Sequence, residues 1–165
     1  MRAENFTLEQ GYTLVLDGVT YDLHNDYDFI RFSYTSPDSK TVLLWQKCRG
    51  DWTDPDAPAY IRIAFSGTTF LMTVCEEDSD VSPHSTLEFA GYLHADDLQN
   101  MHGYLDRTEI SDDYHLIFGF EGGMTIKLKA ANGVAETLQA APETPSGPNG
   151  SASKQNKVCS TRRPR

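Results

Sequence analysis

Two groups of carboxylates hold the most pointed chemistry in this chain. Asp51, Asp54 and Asp56 surround Trp52, and Glu76, Glu77, Asp78 and Asp80 follow directly on an apolar run that ends at Cys75. Oxygen-rich loops hold calcium when a central Gly turns the chain and a distal Glu closes the site. The Trp52 loop has neither at the required spacing. An indole edged by carboxylates is instead suited to Arg or Lys side chains, through cation–π contact and charge. Both loops are expected to emerge at one end of a sheet and form an acidic rim around Trp52. The competing expectation has Trp52 packed beneath its own loop and the carboxylates merely solvated.

Other reactive groupings are weaker. His24, His84, His94, His102 and His115 show neither HExxH spacing nor zinc-type pairing with cysteine. His94 and His102 lie eight apart without a convincing third ligand. There is no G-x-S-x-G elbow. Cys48 and Cys75 each end an apolar run, where burial would raise the thiol pKa and make it inert. Gly122-Gly123 has no following Lys-Ser/Thr and reads as a turn. No catalytic residue, metal or cofactor is expected, and the chain is read as a non-enzyme.

Charge is divided unevenly. Residues 1–140 contain 9 Lys and Arg against 23 Asp and Glu, whereas residues 141–165 contain 5 against Glu143. The first segment repels phosphate, so no nucleic-acid partner is expected for it. It would attract a basic protein surface and accelerate that encounter. Cys48, Cys75 and Cys159 are widely spaced without a CxxC pair, which fits a reducing compartment better than a disulfide framework. The opening MRAENFTLEQ lacks an apolar signal-like core. No apolar run approaches the roughly 18–20 residues that cross a bilayer. Cytoplasm is the expected location, with no membrane partner and no stated oligomeric state.

The elements that must position these residues are mostly strands, because the apolar period is two. Tyr12–Leu16 and Val19–Leu23 flank Asp17-Gly18, a dipeptide that favours a primed turn. Tyr27–Tyr34 follows, with Ile30, Phe32 and Tyr34 expected on one face and Tyr27, Phe29 and Arg31 on the other. Thr41–Cys48 returns after Ser36-Pro37-Asp38-Ser39. Tyr60–Phe65 and Thr68–Cys75 around Ser66-Gly67 read as the best central hairpin. Thr86–His94 is a further strand, with Leu87, Phe89, Gly91 and Leu93 in phase. Asp96 caps one short helix expected about Asp97–His102. Tyr114–Phe120 and Met124–Lys129 close the domain, the latter with Met124, Ile126 and Leu128 buried and Thr125, Lys127 and Lys129 wet.

The expected fold class is therefore all-β: an antiparallel β-sandwich or partly open barrel of about eight or nine strands with one short helix. The domain is expected to span residues 1–130. Residues 131–165 read as a disordered basic tail rich in Pro, Gly and Ser.

The order of turns and acidic loops, and the closing YHLIFGFEGGMTIKLKA hairpin, resembles small bacterial all-β proteins of the immunity type, over roughly residues 10 to 130. That resemblance implies a protein that binds and blocks a basic toxin. It carries no diagnostic motif, so no residue role transfers with it. The functional expectation is a non-enzymatic acidic protein-binding module with a basic protein partner. The alternative, motivated by the aromatic content, is a small-ligand-binding barrel or sandwich.

Overall fold

Asp17 and Gly18 both take positive φ, 50° and 84°, as a two-residue primed turn requires. They join β3 (Thr13–Leu16) to β4 (Val19–Asp22), and β2 (Phe6–Glu9) pairs with β3 to complete a three-stranded sheet. The computed structural model describes residues 2–75, 86–94, 96–97 and 113–142. Among them every regular element is a strand, and no helix is long and apolar enough to cross a membrane.

Two larger sheets face each other across the core. The first has the order β1-β12-β7-β6-β5, built from β1 (Arg2–Ala3), β5 (Tyr27–Thr35), β6 (Lys40–Lys47), β7 (Tyr60–Ser66) and β12 (Asn132–Leu138). The second has the order β8-β11-β10-β9, built from β8 (Phe70–Cys75), β9 (Leu87–Leu93), β10 (His115–Phe120) and β11 (Met124–Lys129). Pairing is antiparallel except between β1 and β12. None of the three sheets closes, so the fold is sandwich-like. Aromatic rings fill the gap: Phe29 lies 4.4 Å from Phe120, and Trp45 lies 5.2 Å from Phe29 and 6.0 Å from Phe118. Offset rings of this size bury large areas with specific geometry. The three-stranded sheet adds Phe6, Leu8, Leu14 and Leu16 to the same core, with Phe6 edge-on to Phe65.

Several expectations need correction. The Ser66-Gly67 turn does not make a hairpin. β7 pairs with β6 and β12, whereas β8 pairs with β11 in the other sheet. The chain changes sheets at this corner, where Gly67 takes φ 63° and Thr68 is buried, with its hydroxyl 3.0 Å from that of Thr41. A β-bulge between Phe29 and Arg31 extrudes Ile30, which places Tyr27, Phe29 and Phe32 toward the core instead of splitting them by parity. A second register shift, at Gly119/Phe120, divides the expected single face of β9, so Leu87 and Tyr92 enter the main core.

β11 is not wet on its second face. Lys127 is fully buried, and its ammonium donates to the Asp97 carbonyl. Ile117 and His115 on the neighbouring strand are buried too. The domain also does not stop near residue 130: β12 supplies seven paired positions to β7, and Gly133 and Ala135 are buried. Among the described residues there are twelve strands where eight or nine were expected. The short helix is not seen among the described residues. Asp96 lies in a turn, Asp97 is irregular, and 98–102 fall outside the described residues, as do 143–165 of the expected tail. Cys75, expected to be buried, is exposed at the edge of its sheet.

Candidate functional site

Loop 48–59 joins β6 to β7 and carries Asp51, Trp52, Asp54 and Asp56. Its shape is set from below by Lys47. That ammonium donates to the carbonyls of Asp54, Pro55 and Ala57 at 3.3, 3.1 and 3.1 Å. Three carbonyls turned onto one cation satisfy backbone acceptors that a wide loop would otherwise leave open. Thr53 is buried and donates to the Gly50 carbonyl at 2.8 Å. Asp54 Oδ1 accepts from the Asp56 backbone N–H at 2.9 Å, a local Asx turn.

Trp52 is not packed beneath this loop. It is 69% exposed, the most open large apolar side chain among the described residues. Its indole lies against Gly50, where any side chain would collide with the ring. Nε1 donates to the Asn25 carbonyl at 3.3 Å. The ring is thus held at Nε1 and rests against Gly50, with most of its remaining surface open to solvent.

That last bond brings in a turn that the sequence reading missed. Asp22 organises residues 22–26: Oδ1 accepts from the backbone N–H groups of His24 and Asn25, both at 2.9 Å, and Oδ2 accepts from the Asn25 side chain at 2.8 Å. The Cys48 N–H donates to the Asp26 carbonyl at 2.9 Å, which ties this turn to the Trp52 loop. Burial and the nearby charges of Asp22 and Asp54 together push the Asp26 carboxyl above its ordinary value. Burial, then the Asp28 carboxylate, pushes the Cys48 thiol up to about 11. Such a thiol is protonated at neutral pH and a poor nucleophile. Burial and neighbouring acids raise the Tyr27 phenol as well, and its hydroxyl donates to the Pro58 carbonyl at 3.2 Å.

Of the residues expected to form the rim, Asp51, Trp52, Asp54 and Asp56 lie together on this loop. Glu76, Glu77, Asp78 and Asp80 fall outside the described residues. Asp22, Asp26 and Asp28 join the first group. The signal for them was available in the register: Tyr27 pairs with Lys47, so residues just before β5 must lie beside residues just after β6. An open groove of about 670 Å³ runs along this loop, its surface largely apolar at Gly50, Pro55 and Ala59 but also lined by Lys47, Arg49 and Asp51. Among the described residues no three His, Cys, Asp or Glu side chains converge to hold a metal ion. The arrangement presents carboxylates and an open indole on two neighbouring turns, beside a groove that Lys47 and Arg49 also line. Comparison of the chain with protein-family models, with curated proteins and with solved structures finds no match.

Proposed function

We propose that this protein is a non-enzymatic binding module whose acidic end receives a basic protein partner. The reading rests on one observation: Trp52 stands open on a loop that carries Asp51, Asp54 and Asp56 and is tied to the 22–26 turn, where Asp26 feels the charges of Asp22 and Asp54. A guanidinium or ammonium placed over the ring gains cation–π attraction and meets carboxylates at the rim. The charge accelerates encounter and the indole anchors the bound state. An immunity-type inhibitor of a basic toxin is the form of this activity that the sequence resemblance suggests.

The test uses an oligo-arginine peptide as the probe and the fluorescence of Trp52 as the readout, with Trp45 buried as an internal reference. Asp54→Lys with Asp56→Lys is expected to slow association by about tenfold at low salt and to flatten its salt dependence. The thermal midpoint should fall by only about 1–3 °C, from loss of the local Asp54 turn. Association kinetics identical to those of the unaltered chain would remove this surface as the binding site.

A further inference from the structure

A strand at the edge of a sheet exposes unpaired backbone N–H and C=O groups, and proteins blunt such edges with charge, bulges, short strands or cover. The three sheets here end in β1 and β5, β8 and β9, and β2 and β4. β1, β2 and β4 are only two to four residues long. β5 is bulged at Ile30 and carries Asp28 and Arg31. β9 is covered: its Ala90 N–H donates to the Gly11 carbonyl, and His24 Nδ1 donates to the Leu87 carbonyl at 2.6 Å. Among the described residues β8 has none of these protections. Its six residues, Phe70-Leu71-Met72-Thr73-Val74-Cys75, are uncharged, contain no proline and pair with β11 without a register shift. Thr73, Val74 and Cys75 are exposed, Val74 by 38%. A neutral, apolar, unbulged edge of this kind is a template for adding another strand.

We propose that β8 pairs with β8 of a second copy of the chain, antiparallel about a two-fold axis at Met72. Alternate residues of the edge turn both backbone groups outward, so the pairing forms about six new hydrogen bonds. The side chains choose the register. About Met72, Phe70 stands opposite the partner's Val74, Met72 opposite the partner's Met72, and Leu71 opposite the partner's Thr73. Moving the axis to Thr73 sets Phe70 opposite the partner's Glu76. Moving it to Leu71 draws in Thr68, which is buried at the corner between sheets. Charge selects a copy as the occupant. Residues 1–140 carry 9 Lys and Arg against 23 Asp and Glu, and the neutral β8 lets two such surfaces meet without opposing carboxylates. In this register the two Cys75 positions stand ~20 Å apart, so the acidic runs that follow them begin well beyond the ~8 Å screening length. The two-fold consumes both β8 edges, and assembly stops at the dimer. One strand edge covers less than the ~800 Å² per partner of a standard interface, which sets a dissociation constant on the order of 0.1 mM.

Sedimentation velocity of the full chain from about 10 µM to about 1 mM should show a monomer giving way to a dimer. Val74→Lys puts an ammonium on the neutral edge and should hold the chain monomeric throughout. Val19→Lys, at a valine that is 53% exposed on β4, should leave the dimer intact. Circular dichroism melts confirm that both variants are folded. A monomer for the unaltered chain at every concentration, or equal association of Val74→Lys, overturns the proposal. Raising salt should preserve the dimer, since no ion pair holds it. Association that salt dissolves would mark a charge-driven contact elsewhere and overturn β8 pairing. A second measurement needs no substitution on the edge. With Cys48→Ala and Cys159→Ser, nitroxides on Cys75 should lie about 20 Å apart in the dimer. A much longer or undefined separation would refute this register and this edge.

Discussion

His115 is 4% exposed, and its Nδ1 has no hydrogen-bond partner among the described residues. Burial, then the charges of Lys127, Lys129 and the N-terminus, hold its imidazole below the ordinary value of 6.5. The folded state therefore resists a proton that the unfolded chain accepts. Stability is unaffected above about pH 7 and falls as pH drops from 6.5 toward the depressed folded value, by at most about 1.4 kcal/mol per pH unit. Replacing His115 with Gln should remove that part of the acid dependence, as measured by urea titrations between pH 7 and 5. Asp26 acts in the opposite sense. Its raised carboxyl means that ionisation costs the fold stability as pH rises through the acidic range. Asp26→Asn should stabilise the protein by ~0.5 kcal/mol at neutral pH and have no such effect near pH 3. The Cys48 thiol, raised to about 11, should alkylate at pH 8 far more slowly than an ordinary thiol. About a hundredfold less thiolate is available, and peptide mapping after iodoacetamide treatment would read the difference.

At the level of strands, local turn chemistry was legible and sheet membership was not. Asp17-Gly18 and the β10–β11 hairpin follow from residues within a few positions of each other, and both stand as expected. Ser66-Gly67 has the same local appearance yet turns the chain between sheets, because β8 finds its partner in β11, far along the chain. Nothing in an alternating pattern distinguishes the two outcomes. Their glycines do differ in space. A Cβ at Gly18 would meet nothing, whereas one at Gly67 would fall 2.9 Å from the Ala131 Cβ. Gly18→Ala should cost ~1 kcal/mol from backbone strain alone, and Gly67→Ala should cost more, by denaturant unfolding. β12 escaped notice because Asn132-Gly133-Val134-Ala135-Glu136-Thr137-Leu138 has few large apolar residues. Small residues suit that strand, since Phe65 and Phe6 crowd Gly133 to 3.1–3.2 Å of where a Cβ would stand. A chain ending at Ala130 would lose the strand between β7 and β1, and should show no cooperative melt by circular dichroism.

At the scale of the whole molecule, strand pairing adds residues to the candidate site that lie far from it in sequence. The loop residues of the candidate site could be named from composition, since Trp52 lies among three aspartates within six positions. Asp22 and Asp28 could not, because they reach the site through strand pairing and a turn held by Asp22 itself. The same limit applies to Lys127. Its alternation with Ile126 and Leu128 reads as a solvated face, yet the sheet is covered on both sides and desolvation depresses the ammonium. Two layers of burial around β10 and β11 separate this strand pair from the half-wet pattern that a simple antiparallel sheet would show.

The ammonium of Lys47 also governs how a visitor would be received. Because it already gathers the carbonyls of three loop residues, the loop needs no guest to acquire its form. Little ordering entropy is left to spend at docking. Encounter should proceed in a single fast phase whose speed tracks collision frequency, with no slow rearrangement behind it. Removing that one side chain, as in Lys47→Met, should convert a ready receptor into one that must first assemble itself.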